Sequence, residues 1–268
     1  MNYFIEGLQG SGKTTLAEKL ERKLPDHTLI KEGDYSPIEL AWCAYLDEDE
    51  YRKILERYEI IRPSIIEKTF SEDDKKIVCY TKIRTDNRDF YKDLEQYEIY
   101  NGRTSDADFR SIILNRFRRW NSDGNIFECS LFQNIVEDMI LFRLSSDEEI
   151  VDFYRSICEV LHDKEFSILY LNSDDIEGNL NIIRKERTDT KGNEMWFDMM
   201  CHYFDESPYA KASGLDARKD LIDHFRHRQE LELRICKELF QNKTSILSSK
   251  NYTDKDISDI ISIKQEAA

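Results

Sequence analysis

The residues best suited to chemistry are Gly7-Leu8-Gln9-Gly10-Ser11-Gly12-Lys13-Thr14, a complete G-x-x-x-x-G-K-[ST] pattern close to the N-terminus. Glycines at this spacing let the backbone turn its N–H groups inward. A helix starting directly behind them adds the positive end of its dipole, so the predicted ligand is a run of phosphates. Gly7, Gln9, Gly10, Ser11 and Gly12 would form the cradle, and Lys13 would reach the β- and γ-phosphates of a nucleotide. The hydroxyl of Thr14 is then placed to ligate Mg²⁺. Thr15 closes the segment without such a role and is expected to pack. A glycine-rich turn opening an ordinary helix is the bland alternative. The flanks favour the phosphate loop: an apolar run over 2–6 precedes it, and an amphipathic run with Leu16, Leu20 and Leu24 follows, as strand-loop-helix requires.

The remaining elements must position that loop. A short β-prone stretch over 28–31 runs into Glu32-Gly33-Asp34, and further strands are predicted at 125–128, 167–171 and 244–248. In parallel α/β sheets the ligand crevice lies at the carboxyl ends of the strands, which would bring Glu32 and Asp34 near the loop; a solvated turn is the alternative. The strand over 125–128 ends on Glu128. Helices are predicted over 106–119, 131–144, 147–161 and 216–240, with a last one capped near Thr253-Asp254. Another follows the 167–171 strand and leads to Arg184-Lys185-Glu186-Arg187 and a loop through Asn193. His224 and His227 lie on the 216–240 helix with no third ligand, and they read as surface residues rather than a metal site.

Residues 35–110 read as an inserted cap, with helical patterns at 37–46, 48–60 and 87–97 around a strand at 77–80. The stretch is rich in aromatics. Trp42 and Tyr45, three apart on one expected helical face, and Tyr80 are the candidate wall for a ring-bearing acceptor, with core packing as the alternative. Arg116 and Arg119 share a face of the 106–119 helix, where they would bind anions or face solvent. The acid runs Asp47-Glu48-Asp49-Glu50 and Glu72-Asp73-Asp74 signal helix starts or solvated faces.

Composition bounds the function. The 268 residues carry 39 Lys+Arg against 54 Asp+Glu, a formal charge of −15, which argues against general affinity for nucleic acid or an anionic membrane. Six cysteines are scattered singly, without metal-ligand spacing, and read as reduced thiols. The first expected strand begins at residue 2, so no leader is expected, and no apolar run approaches membrane-spanning length. The expected compartment is the cytoplasm.

With five strands in this order around a phosphate loop, the chain resembles the P-loop nucleoside and nucleotide kinases, the family of thymidylate kinase and the deoxynucleoside kinases. The resemblance implies a three-layer α/β fold with a five-stranded parallel sheet flanked by helices, spanning 1–268 as a single domain. The mostly helical cap over 35–110 and a lid over 184–193 would be parts of it. It implies that Glu32 acts on the acceptor hydroxyl, although Gly33 stands where the family carries proline. Glu128-Cys129-Ser130 is similar to the family's Glu-Arg-Ser, so Glu128 would help hold Mg²⁺ while Cys129 replaces the arginine that meets the acceptor. Arg184 and Arg187 stand where the family has its lid arginines. The implied activity is transfer of the γ-phosphoryl of ATP, or another NTP, to a hydroxyl of a nucleoside, nucleotide or other small compound such as an antibiotic, with a homodimer left open. A nucleotide-dependent switch with slow hydrolysis is the competing function; the lack of a separate effector domain favours the kinase.

Overall fold

Strand β1 (Asn2–Gly7) is buried along its whole length because it runs down the middle of the main sheet. The computed structural model describes residues 1–266. Five strands, all parallel, form that sheet in the order β2-β6-β1-β7-β8, with β2 at Thr28–Ile30, β6 at Asn125–Glu128, β7 at Phe166–Asn172 and β8 at Thr244–Ser248. The chain is thus α/β with a parallel sheet flanked by helices, the fold class expected from the sequence.

Between β2 and β6 the chain forms a second compact unit, Ile30–Trp120, while Met1–Leu29 and Asn121–Ala268 make the first. The elements in chain order are α1 (Lys13–Lys23) after β1, then in the second unit β3 (Ala44–Leu46), α2 (Glu48–Arg57), α3 (Arg62–Glu67), β4 (Thr69–Glu72), β5 (Lys75–Val78), α4 (Arg88–Glu95) and α5 (Asp106–Arg119). After β6 come α6 (Gln133–Leu141) and α7 (Asp147–Val160). Helices α8 (Ile176–Glu186), α9 (Met195–Glu206), α10 (Pro208–Ser213) and α11 (Ala217–Leu239) separate β7 from β8, and α12 (Asp254–Glu266) ends the described chain. No helix among the described residues is long and apolar enough to cross a membrane.

Strand alternation divides the first unit's core into two layers. Tyr3 and Ile5 of β1 join Leu169 and Leu171 of β7 on the face covered by Leu16, Ala17 and Leu20 of α1 and Ile257 of α12. Phe4 and Glu6 point the other way. There Phe4 stacks on Phe127, Phe132 meets Tyr154 of α7 and Tyr170 of β7, and Phe166 meets Phe240 behind α11.

The second unit has its own core of Leu46, Ile54, Ile65, Val78, Phe90 and Leu94, among others. Its strands form an antiparallel sheet in the order β3-β5-β4, where the sequence reading expects a single strand. The run Asp47–Glu50 does start a helix: Asp47 accepts from the Glu50 N–H and Glu50 reaches back to the Asp47 N–H, a full capping box.

The helix expected over 37–46 does not form. Ser36 Oγ accepts from the N–H groups of Ile38 and Glu39, and the Glu39 carboxylate accepts from those of Leu40 and Ala41, so side chains take the donors a helix would use. Trp42 adopts a left-handed turn (φ 63°) and Tyr45 lies on β3, so the two share no helical face.

Candidate functional site

Residues 7–14 have the backbone geometry expected of a phosphate-binding loop. Gly7 ends β1 at φ 135°, and a Cβ there would stand 2.7 Å from the Leu171 carbonyl oxygen of the neighbouring strand. Gly12, at φ 96°, caps α1 in the left-handed region and lets the helix begin at Lys13. Lys13 Nζ lies back along the loop, donating to the carbonyl oxygens of Gly7 at 2.8 Å and Leu8 at 2.7 Å. The Ser11 N–H closes a turn onto the Leu8 carbonyl, and Ser249, beyond β8, donates to the Ser11 carbonyl at 2.8 Å. Gln9 and Gly10 are half-buried and Thr14 is exposed; Thr15 does not pack as expected but is exposed, since Leu16, Ala17 and Leu20 take the inner face of α1.

Thr14 and Glu128, distant in sequence, meet. The Thr14 hydroxyl donates to Glu128 Oε1, which sits at the carboxyl end of β6 beside β1. A hydroxyl and a carboxylate at the mouth of a loop with left-handed glycines are hard oxygen donors, the type Mg²⁺ takes, and the remaining ligands of such an ion come from phosphate and water. The residues present fit the expected Mg²⁺–nucleotide pair. Among the described residues no group of three or more His, Cys, Asp and Glu side chains forms a metal-binding cluster, and ligation of this kind needs none. Cys129 follows Glu128 at φ 59°, a left-handed turn rare for a side chain of its size, with its N–H on the Ile5 carbonyl.

Helix α8 packs onto the loop: a Cβ on Gly10 would lie 3.3 Å from Ile183 Cγ2. Arg184, next in sequence, donates to Glu194 at 2.6 Å and stacks 3.9 Å over Phe197, while Arg187 lies 4.7 Å over Trp196. Both arginines are thus braced against the start of α9 instead of standing on a free basic face. Asp189 holds the intervening turn by accepting the N–H groups of Lys191 and Asn193.

The other expected site residues belong to the second unit. Asp34 pairs with Lys82 Nζ at 2.9 Å and accepts the Lys31 N–H in a tight turn that also contains Glu32. Arg116 is buried, its donors committed to Glu72 and to the carbonyl oxygens of Ser36 and Ile38; it faces neither solvent nor an open anion site. Arg119 pairs with Asp73 at the surface. Tyr80 is buried with its hydroxyl on Glu98, Tyr45 is half-buried, and Trp42 is exposed.

A network beneath the loop escapes the sequence reading. Glu6 is fully buried, accepting the N–H groups of Leu131 at 2.7 Å and Phe132 at 3.2 Å, and burial pushes its carboxyl up to about 8 against those bonds. Arg228 of α11 is fully buried between Glu137 of α6 and Glu232, its neighbour one turn on. Burial opposes the charge on Glu137, yet Arg228 and His224 outweigh it and hold its carboxyl down at about 2. His224 is therefore a core residue, bonded to Glu137 at 3.0 Å, whereas His227 pairs with Asp147 nearer the surface. One signal was available: Arg228 and Glu232 fall on the stripe of α11 that also carries Leu221, Phe225 and Ile235, so polar residues interrupt a core-facing pattern.

No model of a known protein family matches the chain, and a search of curated proteins finds no match. What the chain does must be argued from its own geometry.

Proposed function

We propose that the protein is a kinase that transfers the γ-phosphoryl of ATP, or another NTP, to a hydroxyl of a small acceptor: a nucleoside, a nucleotide or another small hydroxyl compound such as an antibiotic. The observation that carries this reading is the meeting of Thr14 and Glu128 at the mouth of a loop whose lysine rests on carbonyl oxygens. A loop that served only as a helix start would not need a hydroxyl from the first turn of α1 paired with a carboxylate from the end of β6.

Phosphoryl transfer asks for positioning and charge neutralisation more than covalent chemistry. The N–H groups at the start of α1 would hold the phosphates, and Lys13, by exchanging the Gly7 and Leu8 carbonyls for phosphate oxygens, would meet the developing charge. Thr14 and Glu128 would hold Mg²⁺, which when bound neutralises charge on the transferring group. Arg184, on the last turn of α8, and Arg187, which caps that helix, are proposed as lid cations. Glu32 is proposed as base or orienter for the acceptor hydroxyl, with Asp34 as the alternate. The six cysteines form no disulfide, which supports work in the cytoplasm.

Titrating the chain with Mg-ATP and Mg-GTP in a calorimeter tests this reading. Saturable binding that disappears in Lys13→Ala is expected, and a wild-type chain that binds neither nucleotide would overturn it.

A further inference from the structure

Gln9 sits between Gly7 and Gly10, both at positive φ. Its own side chain is anchored in the interior. Arg228 Nη2 donates to Gln9 Oε1 at 2.6 Å. The same guanidinium donates through Nη1 to Glu137 Oε2 at 2.8 Å, and its Nε lies 3.2 Å from Glu232 Oε1. Those carboxyls are themselves held: Glu137 by His224 at 3.0 Å, Glu232 by the Tyr170 hydroxyl at 2.7 Å. Phe225 packs beside the guanidinium, 5.4 Å from its ring centre.

Burying an arginine completely is a poor route to stability, since desolvation offsets most of the attraction to its carboxylates. What such a residue does supply is direction. The guanidinium is a rigid planar fork: Nη1 is bonded to Glu137 of α6, Nε faces Glu232 of α11 in an ion pair without a hydrogen bond, and Nη2 is turned to one place, the side chain of Gln9. The loop's own bonds, from Lys13 and Ser11, all end on the carbonyls of Gly7 and Leu8. The bond from Arg228 is thus an anchor from outside, placed where those internal bonds stop.

We propose that Arg228 is a positioning residue for the phosphate loop: by holding Gln9 it keeps residues 8–12 in their nucleotide-receiving shape before the nucleotide arrives. This rests on the phosphoryl-transfer reading of the loop. A preorganised loop avoids the entropy of ordering on binding, so losing the anchor weakens nucleotide affinity.

Gln9→Leu removes the acceptor at the half-buried end and leaves the buried ion pairs in place, so it is the variant to make first. Hydrogen exchange of the amides of residues 8–12 in the nucleotide-free chain is expected to quicken several-fold. Dissociation constants for Mg-ATP should rise about tenfold, the melting temperature should fall by a few degrees because Nη2 loses its acceptor, and amides of the sheet core should keep their slow exchange. Gln9→Glu, which keeps an acceptor for Nη2, should retain the slow exchange. Arg228→Lys, which keeps a charge but not the fork, should behave like Gln9→Leu; if it fails to fold, the two Gln9 variants still decide. Unchanged exchange in Gln9→Leu overturns the positioning role whether or not nucleotide binds, and so does faster exchange with unaltered Mg-ATP affinity. A failure of the underlying kinase reading shows separately, as absence of Mg-nucleotide binding in the wild type.

Discussion

The phosphate loop and the second unit treat their charged side chains in opposite ways. At the loop, Lys13 rests on two carbonyl oxygens and Thr14 on Glu128, contacts that phosphate oxygens and a cation can replace without leaving a charge buried alone. In the second unit four cations are committed to carboxylates within the unit: Arg116 to Glu72, Arg103 to Glu95 and Glu98, Lys82 to Asp34, Arg119 to Asp73. On the proposed reading, the contrast separates groups that would meet a ligand from groups that hold a fold. It also indicates that Arg116 and Arg119 serve the second unit's architecture before any acceptor.

The largest effect that could break this comparison is on stability. Arg116→Ala takes the guanidinium from two carbonyl oxygens and from Glu72, which keeps only the Tyr35 hydroxyl, and losing one partner of a buried pair costs about 3–5 kcal/mol. Urea denaturation should show that loss, while affinity for Mg-ATP should hold if the folded fraction is compared. Lys13→Ala should do the reverse, keeping the wild-type melting temperature while turnover falls on the order of a hundredfold or more. Steady-state kinetics beside a thermal scan separates the two.

Glu32→Gln keeps the shape of the side chain and deletes its charge. Retained Mg-ATP binding with transfer slowed about a hundredfold is expected, as for loss of a general base. Normal transfer in Glu32→Gln with a dead Asp34→Asn would move the role two residues along. Replacing Arg184 or Arg187 by glutamine should lower kcat about tenfold with a smaller effect on nucleotide affinity, and wild-type kinetics in both would leave them as braces for α9.

The last effect is a pH slope. Burial raises Glu39 and Glu98 to about 7 in the second unit and Glu6 to about 8 under the loop. The folded chain then keeps protons that the unfolded chain releases above about 4.5, so this contribution is whole at lower pH and is lost as pH rises through 7 to 8. Glu137, held at about 2, works the other way and is lost only as pH falls from about 4.5 through 2. Denaturant midpoints should therefore fall between pH 5 and pH 8. A flat or rising profile would contradict the burial of these carboxyls.

How much of this was legible follows from how local each feature is. The strand, loop and helix of residues 2–23 are contiguous, and their glycines, lysine and apolar spacing specify one another, so the loop could be read directly. Glu128 could be placed because a β-prone run ends on it. The stretch 37–46 misled because its apolar spacing suits a helix, while Ser36 and Glu39 capture the backbone donors, a competition that spacing does not reveal. Arg228 was hidden for another reason. Its partners Gln9, Glu137 and Glu232 come from the loop and two helices, and only the tertiary fold brings them to one guanidinium. His224 was misjudged with it, since a histidine among charged residues on a long helix looks solvated until Glu137 of α6 faces it.

The most direct test of the account is ADP release from Mg-ATP by the wild-type chain, measured alone and with a panel of nucleosides, nucleotides and other small hydroxyl compounds. Release that depends on one class of acceptor, with the phosphoryl group recovered on its hydroxyl, is the predicted result. Slow hydrolysis indifferent to every small acceptor and stimulated only by a macromolecule would contradict it, and would make the loop the centre of a switch.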